Sequence, residues 1–141
     1  MALSIILENI LATDGIEYNY KYLLDDNYQP DQNTADIWKV VDVRRLRDDY
    51  TNTLEDYQKY IDLSIEAIEE HGKVAICCSY GVSRSNAIAL GVLVKYYNMD
   101  FKGAQQLIKH KVKRSNIKEI HISKLKKLLI ENDDDLLNKM P

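Results

Sequence analysis

Cys78 and Arg84 carry side chains suited to chemistry on a phosphate-like anion, and five residues separate them. A cysteine thiolate is a strong nucleophile at neutral pH. An arginine guanidinium stays charged and can bind two oxygens of one anion at the same time. This spacing therefore predicts that Cys78 attacks a phosphorus atom while Arg84 binds the oxygens around it.

The residues between them are Ser79, Tyr80, Gly81, Val82 and Ser83, and they join an apolar run at 74–78 to a second apolar run from Ala87. A short glycine-containing loop between a strand and a helix directs backbone N–H groups into one concavity, where the helix dipole adds positive potential. That field also favours the thiolate form of the cysteine. We predict that residues 79–83 bind the substrate and that the reaction passes through a cysteinyl-phosphate.

The stretch CSYGVSRS at 78–85 resembles the phosphate-binding loop of cysteine-dependent protein tyrosine phosphatases, in their dual-specificity form. The resemblance covers residues 41–129, including NMDFKGAQQLIKHK and KRSNIKEIHISKLKKLL, and extends loosely over residues 1–40. It implies that the Ser85 hydroxyl bonds the thiolate and helps it leave in a second step. The alternative for Ser85 is a helix-capping role.

One residue of this loop departs from the family pattern. The family usually has histidine immediately before the nucleophile, and this chain has Cys77. The family's histidine helps to orient the loop and to tune the nucleophile, whereas a thiol is smaller and a weak hydrogen-bond donor. We expect activity to survive at a lower rate.

Protonation of the leaving oxygen requires a carboxylic acid on a separate loop. Asp48 lies 30 residues before Cys78 (78 − 48) and six before Leu54, which is near the family's spacing. Asp49 is the alternative, and Asp42 is disfavoured because it falls in a strand-like run. Simple solvation of a polar loop remains the non-catalytic explanation for the pair.

The hydrophobic pattern predicts the elements that position these residues. It indicates strands at 16–22, 37–43 and 73–77, helices at 54–70, 84–97 and 101–111, and a last helix capped by Ser115 or Asn116; residues 4–11 fit a strand or a helix. We predict an α/β fold with a small, mostly parallel sheet of about four to five strands flanked by helices. The loop would then lie at the carboxyl end of a strand, where such folds bind ligands.

Length and composition limit the remaining possibilities. The 141 residues predict one catalytic domain with an acidic tail from about Glu131, and the net charge of −3 gives no attraction to nucleic acid or membranes. His71, His110 and His121 lack metal-ligand spacing, so no metal and no cofactor are expected.

Two adjacent cysteines fit a reducing compartment. We expect a cytoplasmic protein (with the nucleus as the alternative) that acts as a monomer.

The predicted substrate is a phosphorylated protein carrying phosphotyrosine, and also phosphoserine or phosphothreonine. The alternatives are an RNA 5′-phosphatase, a phosphoinositide phosphatase, and a phosphate-binding pseudophosphatase without turnover. Residues 79–83 include no lysine or histidine, which argues against the two polyanionic substrates. The presence of Cys78, Arg84 and Ser85 argues against a pseudophosphatase.

Overall fold

Four strands form one sheet in the computed structural model, which describes residues 4–7, 10–15 and 39–131. Their order across the sheet is β1-β2-β4-β3, and they comprise β1 (Ser4–Leu7), β2 (Leu11–Gly15), β3 (Lys39–Asp42) and β4 (Val74–Cys78). β4 runs parallel to both β2 and β3, and only β1 is antiparallel to its neighbour. The predicted α/β fold with a mostly parallel sheet is confirmed.

The N-terminal apolar segment forms two strands instead of one element. A turn separates them, in which the Ile10 N–H donates to the Leu7 carbonyl at 3.1 Å. The second strand, β2, extends to Gly15, which pairs with Cys78 of β4. The predicted strand at 16–22 and the acidic tail beyond Glu131 lie outside the described residues.

Within the described segments, four helices flank the sheet: α1 (Leu54–His71), α2 (Arg84–Lys95), α3 (Phe101–Lys111) and α4 (Glu119–Lys126), the last followed by a π-helical segment, Lys127–Glu131. Thr53 and Asp56 form a capping box at the start of α1, and Gly72 ends α1 with a φ of 81°. Asp100 caps α3 as predicted, accepting from the Gly103 N–H at 3.3 Å.

The predicted cap of the last helix was wrong, because α4 begins at Glu119 after Lys118, which makes no side-chain cap bond. Ser115 and Asn116 lie in the α3–α4 connection and are used differently. The Asn116 N–H donates to the Val82 carbonyl at 2.9 Å. This segment therefore contacts the predicted phosphate-binding loop.

The central helix is α2, in which every residue from Ser85 to Leu93 is buried. Gly91 lies where α2 packs against α1: a Cβ placed there would lie 2.2 Å from Ile61 Cδ1. The two helices are therefore closely packed at this glycine. Among the helices of the described segments, none has the length and apolarity that a membrane crossing requires.

Candidate active site

The Cys78 sulfur lies at the carboxyl end of the buried strand β4, and its neighbours stabilise negative charge. The Gly81 N–H donates to Sγ at 3.3 Å, and Sγ lies in hydrogen-bond contact with Ser85 Oγ at 3.2 Å. Gly81 has a φ of 70°, a left-handed conformation that glycine adopts without a Cβ clash. In this conformation its N–H donates the hydrogen bond to the sulfur. The loop thus provides one backbone N–H donor to the sulfur, and the Ser85 hydroxyl lies within hydrogen-bond distance of it.

A cavity of about 270 Å³ opens above this sulfur. The residues that line it come from three parts of the chain: Asp48, Cys78, Tyr80, Val82, Ser83, Arg84, Asn116 and Lys118. Three of the five predicted substrate-binding residues therefore line the cavity. Gly81 bonds the sulfur instead, and Ser79 is not among the lining residues. The cavity brings nucleophile, guanidinium and candidate acid together, which the sequence could only infer.

Arg84 connects the phosphate-binding loop to the loop that carries the candidate acid. We call residues 43–53, between β3 and α1, the acid loop. Nη1 of Arg84 donates to the Arg44 carbonyl at 2.9 Å and to the Leu46 carbonyl at 3.1 Å. One nitrogen thus fixes the position of the guanidinium, and the planar group still lines the cavity. An arginine held in this way is pre-organised to bind an anion.

Of the three candidate acids, Asp48 is the one that lines the cavity. Asp49 accepts from Arg47 Nε at 3.0 Å, from the Thr51 N–H at 2.9 Å and from the Thr51 hydroxyl. The Thr51 hydroxyl contributes most to lowering the pKa of Asp49 to about 2. Asp42 lies in β3 and pairs with Arg44, with Nε 3.2 Å from Oδ1. Geometry therefore favours Asp48 over both alternatives.

Both carboxylate oxygens of Asp48 have a partner from the α4 end of the chain. Lys118 Nζ lies 2.6 Å from Oδ2, and His121 Nε2 lies 2.8 Å from Oδ1. Burial raises the pKa of Asp48, but the hydrogen bonds from Lys118 and His121 and the positive charge of Lys118 outweigh this effect. The net pKa lies below the usual 3.8. Asp48 is therefore a carboxylate in the resting protein at neutral pH.

Sequence reasoning missed the polar side chains that brace the phosphate-binding loop from inside. Asn86 is fully buried in α2 and donates to the carbonyls of Gly81 at 2.9 Å and Val82 at 3.0 Å. Its own Oδ1 accepts from the Thr13 hydroxyl of β2 at 2.9 Å. The available signal was an amide in the otherwise apolar run NAIAL, since a buried amide needs partners.

The outer side of the same loop is held by the α3–α4 connection. The backbone N–H of Lys118 donates to Ser83 Oγ at 3.0 Å. His121, for which the sequence predicted no role, is fully buried beneath the acid loop. In the described segments, no group of three or more histidine, cysteine, aspartate or glutamate side chains is arranged to hold a metal ion.

Cys77, which stands where the family usually has histidine, is buried in β4. Its sulfur lies 3.8 Å from the Ala75 carbonyl, in a hydrogen-bond contact within its own strand. Neither Cys77 nor Cys78 forms a disulfide. The Cys77 thiol therefore belongs to the packing of the strand, while the Cys78 thiol faces the cavity.

A mixed sheet flanked by helices, with a cysteine and an arginine on one strand-to-helix loop, defines a cysteine-dependent phosphatase fold. A family model described as the dual specificity phosphatase catalytic domain matches residues 5–131. The chain belongs to this family, and the resemblance stated from its sequence is confirmed.

Individual relatives are distant. The dual specificity protein phosphatase MPK-4 of Drosophila melanogaster is 35% identical over 51 residues, which cover 36% of this chain and 13% of that protein. The chain thus matches about one eighth of the length of this relative.

Solved structures extend the fold comparison to nearly the whole chain. A mouse putative dual specificity phosphatase, crystallised with zinc tungstate, has a TM-score of 0.76 at 16% identity and covers 96% of this chain and 91% of its own. Human DUSP28 has a TM-score of 0.72 at 14% identity, covering 97% of this chain and 96% of its own. At these identities the likeness is one of fold.

Proposed function

We propose that this protein is a phosphatase that removes phosphate from phosphotyrosine, and also from phosphoserine and phosphothreonine, through a cysteinyl-phosphate. One observation carries the proposal. The Cys78 sulfur, with the Gly81 N–H 3.3 Å away, lines the same 270 Å³ cavity as the Arg84 guanidinium and the Asp48 carboxyl. Nucleophile, charge stabilisation and proton donor are the three functions that cleavage of a phosphate ester requires.

In the first step, the lone pair of the Cys78 thiolate forms a bond to phosphorus as the bond to the ester oxygen breaks in line. That oxygen takes the bonding electron pair and receives a proton from Asp48. The loop amides and Arg84 stabilise the equatorial oxygens, on which charge is redistributed in the transition state. The products are the free alcohol and phosphocysteine.

In the second step, water attacks the phosphocysteine and transfers a proton to the Asp48 carboxylate. The sulfur–phosphorus bond breaks, and the electron pair returns to Cys78 as a thiolate. Ser85 Oγ, 3.2 Å from the sulfur, donates a hydrogen bond to the departing thiolate. Inorganic phosphate leaves, and Asp48 gives up this proton when its ion pair with Lys118 forms again.

The cavity entrance supports an aromatic phosphoester. The Tyr80 side chain is 57% exposed while lining the cavity, so its ring can pack against the ring of a phosphotyrosine. Lys118 adds one cation to the cavity lining, and its ammonium is paired with Asp48. Apart from Arg84, the described lining of the cavity thus holds one cation, which is already paired. This charge fits a monoester better than the clustered negative charge of an RNA 5′-triphosphate or a phosphoinositide.

The proposal is tested by kinetics on a phosphotyrosine peptide with the wild type and with Cys78→Ser, and Cys77→Ser serves as the matched control. Turnover by the wild type and by Cys77→Ser, lost in Cys78→Ser, supports the enzyme. Rapid quenching should trap phosphate on Cys78. Phosphate binding without turnover in the wild type would instead identify a pseudophosphatase. Faster hydrolysis of a 5′-triphosphorylated RNA or a phosphoinositide than of the peptide would overturn the substrate assignment.

A further inference from the structure

His121 is a fully buried histidine whose two ring nitrogens contact two different parts of the chain. Nδ1 lies 2.6 Å from the Tyr57 hydroxyl on α1, and Nε2 lies 2.8 Å from Asp48 Oδ1 on the acid loop. Burying a polar ring is costly unless its nitrogens are satisfied, so these two contacts account for its place in the core. The steps proposed above do not use this residue.

The position of the imidazole proton follows from the neighbouring donors. The Asn52 side chain is oriented by the Arg47 backbone, because its Oδ1 accepts from the Arg47 N–H at 2.9 Å and its Nδ2 donates to the Arg47 carbonyl at 2.6 Å. The same Nδ2 donates to the Tyr57 hydroxyl oxygen at 3.3 Å. The Tyr57 proton is thereby left to donate to Nδ1 of His121, so the ring proton lies on Nε2.

The charge state of the ring agrees with this arrangement. Burial lowers the pKa of His121, against the hydrogen bond and charge of Asp48, and the positive charges of Lys118 and Arg84 lower it further. The imidazole is therefore neutral at neutral pH. Its single N–H donates to Asp48 Oδ1. Every polar atom in the hydrogen-bonded series from Asn52 through Tyr57 and His121 to Asp48 therefore has a compatible partner.

This fixed N–H distinguishes the two oxygens of the acid. A protonated carboxyl has one carbonyl oxygen, which accepts hydrogen bonds, and one hydroxyl oxygen, which donates. Because Oδ1 accepts from His121, the acid proton must lie on Oδ2. That oxygen is the one bonded by Lys118, whose side chain lines the cavity with Asp48.

We propose that His121 is a positioning residue for the general acid, which fixes Oδ1 of Asp48 so that the proton on Oδ2 faces the leaving group. Tyr57 acts one step further away by holding His121 in the tautomer that donates from Nε2. With the opposite tautomer, Nε2 would accept, and the acid proton would turn inward to the ring. The proposal rests on the proposed function, since it requires Asp48 to be the acid.

Leaving-group dependence tests the proposal, because an acid matters most when the departing oxygen is basic. Phenyl phosphate and p-nitrophenyl phosphate share the phosphoryl group, but p-nitrophenolate departs without protonation. His121→Leu should lower kcat/KM for phenyl phosphate at least about tenfold more than for p-nitrophenyl phosphate, within the range of general acid catalysis. His121→Gln keeps an N–H donor near the position of Nε2 and should recover most of this difference.

Two further variants complete the set. Tyr57→Phe should reproduce part of the selective loss on phenyl phosphate, because the histidine tautomer is then no longer fixed. His110→Gln, an exposed histidine on α3, should behave as the wild type. Melting curves identify variants that fail to fold. If His121→Leu does not fold, His121→Gln and Tyr57→Phe provide the test, each compared with the wild type on both substrates.

Equal losses on the two substrates, or equal behaviour of His121→Gln and His121→Leu when both fold, would overturn the positioning role. So would wild-type selectivity in Tyr57→Phe. Asp48→Asn separates this outcome from failure of the proposed function. If Asp48→Asn loses phenyl phosphate turnover selectively and the His121 variants do not, only the role of His121 fails. If Asp48→Asn shows no selectivity, the assignment of the acid fails as well.

Discussion

The Lys118 ammonium lies 2.6 Å from Oδ2 of Asp48, so the candidate acid is ion-paired in the resting protein. Since an acid must carry a proton when the ester bond breaks, this pair must open during turnover. A phosphate dianion in the cavity offers Lys118 a second partner, because both residues line it. We infer that substrate binding itself releases Oδ2 for protonation.

Lys118→Met should therefore shift the basic limb of the pH profile of kcat to higher pH. Lys118 lowers the pKa of Asp48, so removing the ammonium raises that pKa. The protonated acid then persists to higher pH, so kcat starts to fall at a higher pH than in the wild type. The measurement is kcat for phenyl phosphate across pH, with Lys113→Met as an exposed control. A basic limb that stays in place or moves to lower pH would contradict the inferred pairing.

Asp48→Asn and Asp49→Asn should behave very differently despite their adjacency. Loss of general acid catalysis costs about 10² to 10⁴ in rate, and we expect kcat for phenyl phosphate to fall by about 10² in Asp48→Asn. Asp49 bonds Thr51 and Arg47 and does not line the cavity. Asp49→Asn should stay within about threefold of the wild type, the scale expected without loss of an acid. A larger loss in Asp49→Asn than in Asp48→Asn would reverse the assignment.

The sequence predicted the parts of the site that are contiguous in the chain. Cys78, Arg84 and Ser85 lie on one strand–loop–helix unit, and strand and helix patterns locate such a unit. The spacing to Cys78 and Leu54 predicted Asp48 as the acid with Asp49 as the alternative. The fold adds a physical difference between them, because Asp48 lines the cavity and Asp49 bonds its own loop.

The partners of the acid could not be predicted, since Lys118 and His121 lie some 70 residues further along the chain. Tyr57 has the spacing of an apolar helix face, and its ring is indeed buried in the core. The helical periodicity of the sequence predicts that the ring is buried. It does not predict that the hydroxyl contacts a histidine from another helix.

Asn86→Leu should weaken anion binding as well as the fold, because Asn86 braces the phosphate-binding loop. The change removes both amide donors to the loop carbonyls and the acceptor of the Thr13 hydroxyl. Buried groups left without partners cost about 1–3 kcal/mol each. We expect a loss of about 2–4 kcal/mol in the free energy of unfolding and inhibition by orthovanadate about tenfold weaker, since binding must then also order the loop.

Thr13→Val is the matched control for this change, because it removes only the hydrogen bond furthest from the loop. It should lower the free energy of unfolding by about 1 kcal/mol and leave the vanadate inhibition constant within about twofold, which is less than about 0.5 kcal/mol. Chemical denaturation and inhibition titrations give both quantities. Equal vanadate inhibition of Asn86→Leu and the wild type would mean that the loop keeps its shape without the amide.

Gly91→Ala should destabilise the fold although alanine favours helices. Alanine in a helix interior gains about 1 kcal/mol over glycine, but the new Cβ would lie 2.2 Å from Ile61 Cδ1 and 2.6 Å from Cγ1. Ile61 is fully buried, so its side chain has little room to move, and overpacking costs about 1–3 kcal/mol. We expect a net loss of up to about 2 kcal/mol in the free energy of unfolding.

A double-mutant cycle with Ile61→Val isolates the clash at Gly91. Valine lacks the Cδ1 atom that approaches closest, so Gly91→Ala should cost less in the Ile61→Val background than in the wild type. Two residues in contact show coupling of about 0.5–3 kcal/mol. Urea denaturation of the four proteins measures this coupling. Additive effects, or a Gly91→Ala protein more stable than the wild type, would show that α1 and α2 separate easily at this point.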